Sequence, residues 1–227
     1  MSKYIRTLTI TYDLPISQRE IPLFRGAVLK SLGEKANLLC HNHTGADTFR
    51  YAYPLIQYKR LNGKAAIVCV EKGVELVGQP LSELSGTIMI GKREANCLIE
   101  QIQTKDVPVH ITDQPIYYQL HHWLPLNSKN YEQYQHTDDL IERIKILERV
   151  LIGNILSFLK GMDIHIENQL DVHITDILDQ KANTYKKMRL MAFDIKFKIN
   201  ISLPPHIGIG KNTSVGNGVL KKISVAE

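Results

Sequence analysis

Two imidazoles stand two residues apart at His41 and His43, and a phenol follows at Tyr51. Imidazole titrates near neutrality, so a pair of them can take a proton from one oxygen and return it to another at physiological pH. A tyrosine nearby can orient or donate. Two solvated loop histidines would be spelled the same way. A metal site is a third reading, but two nitrogens at this spacing supply only two ligands, and no neighbouring cluster completes a zinc set. The other concentration of chemistry is Gly208-Ile209-Gly210-Lys211-Asn212-Thr213-Ser214-Val215-Gly216-Asn217-Gly218. Its two Gly-x-Gly pairs flank a stretch containing Lys211. Glycine takes positive φ freely, successive amide N–H groups can cradle a phosphate, and the lysine adds charge. No Gly-Lys-Ser/Thr closes a Walker A loop. The dinucleotide pattern G-x-G-x-x-G is also absent, and too little chain follows to form its helix and sheet. A flexible hairpin fits the same letters.

Basic residues recur at Arg19 and Arg25, at Lys59, Arg60 and Lys64, at Lys186, Lys187 and Arg189, and at Lys196 and Lys198. They can track phosphates or form solvated faces. Tyr51, Tyr53 and Tyr58 lie among them, as base stacking requires, although tyrosine is also an ordinary strand residue. His206 beside the glycine loop is a further candidate RNA contact. His121 and His122 are consecutive within a strand-like run, so their rings are expected on opposite faces; they read as structural. Lysine plus arginine number 28 against 23 acids, a net charge of +5. That balance permits a phosphate-bearing partner without demanding one.

The elements that must position these groups follow from periodicity. Residues 3–13 alternate, with Tyr4, Leu8, Ile10 and Tyr12 on one face, which predicts a half-buried strand. Ser17 and Glu20 form a capping-box pattern, and Ile21, Phe24, Val28 and Leu32 predict a helix over about 18–36. Strands are expected over 51–60 and 65–70, joined by Asn62-Gly63, the strongest short hairpin signal. A weak helix over 71–85 and a strand over 87–103 complete β-α-β-β-α-β, a ferredoxin-like unit. Residues 104–115, with Pro108 and Pro115, read as a connector. The order then restarts: a strand over 116–126, the clearest helix of the chain over 138–160, strand-rich runs over 163–178 and 185–203, and a short strand over 219–225. No second helix is evident in this half. The expectation is α+β: tandem ferredoxin-like (RRM-like) domains with antiparallel sheets, divided as 1–106 and 107–227.

With 227 residues, 44% of them apolar, the chain can bury a core without staples. No apolar run reaches the length of a membrane span, and no signal core opens the chain. Three cysteines (Cys40, Cys69 and Cys97) with no CxxC spacing argue against a disulfide scaffold and fit a reducing, cytoplasmic setting.

These residues resemble a family. The glycine pattern over 208–218 is similar to the glycine-rich signature of the RAMP superfamily of CRISPR-associated proteins. Pro22-Leu23-Phe24-Arg25-Gly26-Ala27, then His41-Asn42-His43, then Phe49-Arg50-Tyr51-Ala52-Tyr53-Pro54-Leu55-Ile56-Gln57-Tyr58-Lys59, resemble the Cas-six endoribonucleases that cut CRISPR repeat RNA. The resemblance implies tandem ferredoxin-like domains and cofactor-free, metal-independent cleavage by the ribose 2′-hydroxyl, leaving a 5′-hydroxyl and a 2′,3′-cyclic phosphate. It implies His43 and His41 as acid and base with Tyr51 orienting them. It also implies RNA contacts from Gly208, Gly210, Lys211, Gly216, Gly218, Arg25, Lys196 and Lys198. Family members often add a lysine. Lys59 is the nearest match, but on a straight strand it lies roughly 26 Å from Tyr51, so it is taken as a phosphate contact at best. The expected partner is CRISPR repeat RNA, with other CRISPR-associated proteins and a homodimer left open. The competing readings are a non-catalytic RAMP subunit that grips guide RNA, and an unrelated protein binding a small phosphorylated ligand.

Overall fold

The computed structural model describes residues 3–33, 53–82, 86–185 and 188–224. It divides into two compact units: Tyr4–Val107 with Ser214–Gly216, and Pro108–Thr213 with Lys3 and the chain from Asn217 onward. Both are antiparallel sheets with helices, the tandem ferredoxin-like architecture expected from the order of elements.

In the first unit, β1 (Lys3–Pro15), β2 (Ile56–Leu61), β3 (Lys64–Val70) and β6 (Ile99–Val109) form a sheet in the order β2-β3-β1-β6. Leu8, Ile10 and Tyr12 face the buried stripe Ile21, Phe24, Val28 and Leu32 of α1 (Ile21–Leu32). Phe24 bridges the layers, edge-on to Tyr12 at 5.7 Å and to Tyr58 at 5.9 Å. Deleting a ring so enclosed costs roughly 3–5 kcal/mol. Tyr4, expected inside, is exposed. A 3-10 turn over Gln18–Glu20 precedes α1, and the Glu20 carboxylate accepts from both the N–H and the hydroxyl of Ser17, at 2.8 and 2.9 Å. Those bonds, led by the one from the Ser17 N–H, hold the Glu20 carboxyl below its ordinary range. Asn62 and Gly63, both at positive φ, turn β2 into β3 with Leu61 opposite Lys64.

After α2 (Lys72–Ser82) the structure departs from expectation. Residues 87–103 are not one strand: β4 (Gly86–Ile90) and β5 (Arg93–Cys97) fold on each other as a separate ribbon, and β6 supplies the edge of the main sheet. Gly91 at φ 63° makes the turn between them. The supposed connector is strand as well, because Pro108 sits on an edge strand, where a missing N–H is tolerated. Pro115 falls in a register shift of β7 between Ile111 and Ile116.

The second unit orders its strands β10-β7-β9-β8: β7 (Ile111–Trp123), β8 (Val172–Tyr185), β9 (Met188–Ile201) and β10 (Val219–Lys222). Tyr118, Leu120 and Trp123 of β7 and Phe193, Ile195, Phe197 and Ile199 of β9 are fully buried, as are Leu147, Leu151, Ile155 and Phe158 of α4 (Leu140–Gly161). Asp139 caps α4, accepting from the N–H groups of Ile141 and Glu142. Leu140, the first residue of α4, is exposed. A short α3 (Ser128–Gln135), capped by the Asn127 side chain, was not signalled, since its sequence is almost wholly polar. The segment between β9 and β10, where a ferredoxin-like unit places its second helix, is the glycine loop.

Candidate nucleic-acid interface

The stem of the glycine loop is a backbone ladder. The His206 N–H donates to Leu220 O at 2.7 Å, Leu220 N–H to Ile207 O at 2.9 Å, Ile209 N–H to Gly218 O at 2.8 Å, and Gly218 N–H to His122 O at 3.0 Å. Gly218 has φ 63°, and a Cβ there would lie 1.8 Å from the Ile209 carbonyl oxygen, so no side chain fits. Gly210 has φ 101° and lies against the Trp123 ring, where a Cβ would come within 2.8 Å. Gly208 forms an isolated bridge with Val219. Lys211 donates to Leu126 O at 2.9 Å, and partial desolvation holds its ammonium below the usual lysine range. Ser214–Gly216 belong to the first unit: Ser214 O accepts from Tyr58 N–H at 2.9 Å, and Gly216 O from Gln18 Nε2 at 2.9 Å.

The base of this loop rests on an irregularity in β7. His122 has φ 50°, and pairing with β9 shifts between Leu120 and Trp123. This bulge breaks the alternation expected at His121-His122. Both residues instead engage one carboxylate: Asp194 Oδ1 accepts from His122 N–H at 2.6 Å, and Oδ2 lies 3.4 Å from His121 Nδ1. Burial opposes ionisation of Asp194, but its hydrogen bonds with the two histidines outweigh that and hold its carboxyl below the ordinary value. Burial lowers the His122 imidazole, partly offset by Asp194. Asp194 thus shapes the carbonyl that receives Gly218, and the sequence carried no sign of it.

Of the remaining candidates, Arg25 is half-buried on α1 and makes no ion pair among the described residues. Lys196 and Lys198 alternate with the buried apolar residues of β9; Lys196 lies 4.0 Å from Asp176, and Lys198 pairs across the sheet with Tyr117 and His173. Lys59 is a correction. It has no solvent exposure, so it belongs to neither a solvated basic face nor a phosphate-tracking one, and desolvation pushes its ammonium down to about 7. Lys64 is bound to Asp13 and Glu100. His41, His43, Tyr51, Lys186 and Lys187 lie outside the described residues. Cys69 and Cys97 are free and buried. Among the described residues no helix is long and apolar enough to cross a membrane, and no group of three or more His, Cys, Asp or Glu could hold a metal ion.

Two ferredoxin-like units, the second with a glycine-rich loop in place of its last helix, define the class: the fold is that of CRISPR-associated Cas6 proteins. It is shared with Csf5, a type IV Cas6 crRNA endonuclease, at TM-score 0.58 and 11% identity, covering 98% of this chain and 100% of that one. The family model for the Cas6b N-terminal domain matches residues 3–108, and that for the Cas6b C-terminal domain residues 110–223. The chain belongs to the Cas6b family. A crystal structure of Cas6b is 28% identical with TM-score 0.85, and one of a CRISPR RNA processing endoribonuclease Cas6b is 25% identical with TM-score 0.75; each covers 97% of this chain and 100% of its own. An uncharacterized protein of Methanocaldococcus jannaschii is 33% identical over 101 residues, 44% of this chain and 67% of that protein.

Proposed function

We propose that this chain is an endoribonuclease that processes CRISPR RNA by cutting within its repeats without a metal ion. The observation that carries the reading is the likeness, over 97% of the chain, to a Cas6b that processes CRISPR RNA. The nucleophile is already part of the substrate, so in-line positioning supplies much of the acceleration. A base removes the 2′-hydroxyl proton, the 2′ oxygen bonds to phosphorus, the bond to the 5′ oxygen breaks, and an acid protonates that leaving oxygen. The products are a 2′,3′-cyclic phosphate and a 5′-hydroxyl. His41 and His43 divide the acid and base roles, and Tyr51 orients one of them. Lys211, Arg25, Lys196 and Lys198 hold phosphates. The glycine loop, from Gly208 and Gly210 to Gly216 and Gly218, brings backbone close to the strand.

The test is incubation with repeat RNA in excess EDTA, followed by analysis of the ends. Cyclic phosphate ends are expected. His41→Ala and His43→Ala should each lower cleavage by roughly 10²–10⁴-fold with RNA binding retained. A 3′-hydroxyl end, full activity in the double variant, or wild-type binding with no cleavage would overturn the reading.

A further inference from the structure

The second unit contains a pocket of about 310 Å³ that the acid–base reading does not use. That volume lies at the small end of the range for ligand sites, roughly 300–1,000 Å³. One wall is α4, which presents Ile146, Arg149, Val150, Gly153 and Asn154; the spacing of three and one places all five on one helix face. Asn130 and Gln133 of α3 stand on the second wall, and Pro125 and Lys211 close the third.

The chemistry of the lining is mixed in a specific way. Arg149 makes no ion pair and no side-chain hydrogen bond among the described residues. Asn154 Oδ1 accepts from Trp123 Nε1 at 3.0 Å, which leaves its NH₂ for the pocket. Lys211 Nζ gives one hydrogen to Leu126 O and keeps two. The amides of Asn130 and Gln133 offer both donors and acceptors. Ile146, Val150 and Pro125 supply apolar surface. Cations suit a phosphate, amides suit the edge of a base, and flat apolar surface suits its face.

Gly153 supplies a second, independent observation. Glycine inside a helix costs stability relative to alanine, and it is normally explained by close packing. Here a Cβ would meet nothing within 4 Å. The missing side chain opens onto the pocket and keeps it empty.

We propose that this pocket receives one unpaired nucleotide, its phosphate held by Arg149 and Lys211 and its base read by the amides of Asn130, Gln133 and Asn154. This rests on the reading of the chain as an RNA-processing protein and adds a position at which it distinguishes a splayed base from a paired one. The same nucleotide chemistry could arrive free in solution; the occupant proposed is a nucleotide of the repeat RNA.

The experiment measures dissociation constants of the full chain for its repeat RNA, scanned with single abasic positions, with adenosine and uridine monophosphates as separate probes. Gly153→Leu fills the pocket and replaces a poor helix former with a good one, so its melting temperature should not fall. It should bind intact RNA about tenfold more weakly, the order of one base contact. Gln133→Ala and Arg149→Gln should act in the same direction. One abasic position should weaken the wild type about tenfold and leave Gly153→Leu unchanged. If Gly153→Leu binds like the wild type, or no abasic position shows that suppression, the inference is overturned while the RNA reading stands. Binding of a free monophosphate that Gly153→Leu abolishes, without any abasic effect, overturns it in favour of a small ligand. A wild type that does not bind repeat RNA overturns both.

Discussion

Lys59 is a fully buried charge in the first unit, and its burial has a measurable sign. Burial lowers its pKa from 10.5 to about 7. Each unit of displacement between folded and unfolded states corresponds to about 1.4 kcal/mol, so the buried ammonium costs the folded state at most about 5 kcal/mol well below neutrality. Between pH 7 and 10.5 the unfolded chain binds more protons than the folded one, so stability rises with pH. Thiols and phenols oppose this at the alkaline end. Burial pushes Cys97 and Tyr118 up to about 12, and Cys69 and Tyr12 higher still. Their folded pKa values exceed the unfolded ones, so their contribution is lost as pH rises through the thiol and phenol range. From pH 7 to 8.5 the Lys59 contribution should raise wild-type stability relative to a variant lacking the amine by about 2 kcal/mol, the thiols cancelling in that comparison. Lys59→Met keeps the length of the side chain and abolishes the slope. The only tryptophan, Trp123, lies in the other unit and reads it as an internal control. Denaturant-dependent hydrogen exchange at β1 and β3 amides reads the first unit, and comparing wild type with variant at equal pH cancels intrinsic exchange rates and the histidine titrations. Parallel stability curves for the two proteins across that window would refute the reasoning.

Three further perturbations bear on the framework of the site. Gly218→Ala must seat a Cβ 1.8 Å from a carbonyl oxygen at positive φ; a loss of more than about 2 kcal/mol is expected in Trp123-monitored unfolding, and an unchanged midpoint would show that the loop is not held as described. Asp194→Ala removes the acceptor of the His122 N–H and should cost about 1–3 kcal/mol, whereas Asp194→Asn keeps that acceptor. The folded carboxyl lies below its ordinary value, so the wild type's advantage over the asparagine variant should persist at neutral pH and vanish as pH falls through the folded pKa; a difference independent of pH would refute the charge pairing. Among the described residues the buried Tyr12 hydroxyl has no hydrogen-bond partner, so Tyr12→Phe should leave stability unchanged or raise it by about 1 kcal/mol, and a clear loss in denaturant midpoint would reveal a partner.

What the sequence made legible was what local chemistry decides. The helix over Leu140–Gly161, the Ser17–Glu20 cap and the Asn62-Gly63 turn each carry their cause within a few residues. What stayed hidden depends on neighbours distant in the chain. Pro108 reads as a break until β6 is known to be an edge, and Pro115 until β7 is known to shift register there. His121 and His122 look like alternating strand residues because the carboxylate that holds the bulge is 72 positions away. Lys59 looks like a surface cation because nothing in its neighbours reveals that all of Ile56–Lys59 is buried. The histidines and tyrosine of the proposed chemistry are legible only in the sequence, as residue types and spacing.

The order β10-β7-β9-β8 has a consequence for how the glycine loop should be interrogated. Strands β9 and β10 both run antiparallel to β7 and therefore parallel to each other, so the chain between them must cross over β7. A helix would satisfy its own amides on that crossing. A loop cannot, and every buried N–H and C=O must find another partner. The ladder from His206 to Leu220 and the bond from Gly218 to the His122 carbonyl provide those partners, and at Gly218 the backbone lies so close that a Cβ would sit 1.8 Å from the Ile209 carbonyl oxygen. The need for glycine at Gly218 follows from its positive φ and that close carbonyl, whatever the loop binds. Substitutions there report on folding, whereas Lys211, whose ammonium keeps two hydrogens beyond its bond to Leu126 O, reports on ligand where its folding is unchanged. A loss of RNA affinity in Gly218→Ala alone would therefore say nothing about phosphate contacts. A loss in Lys211→Met, with unfolding unchanged, would assign the loop to the RNA.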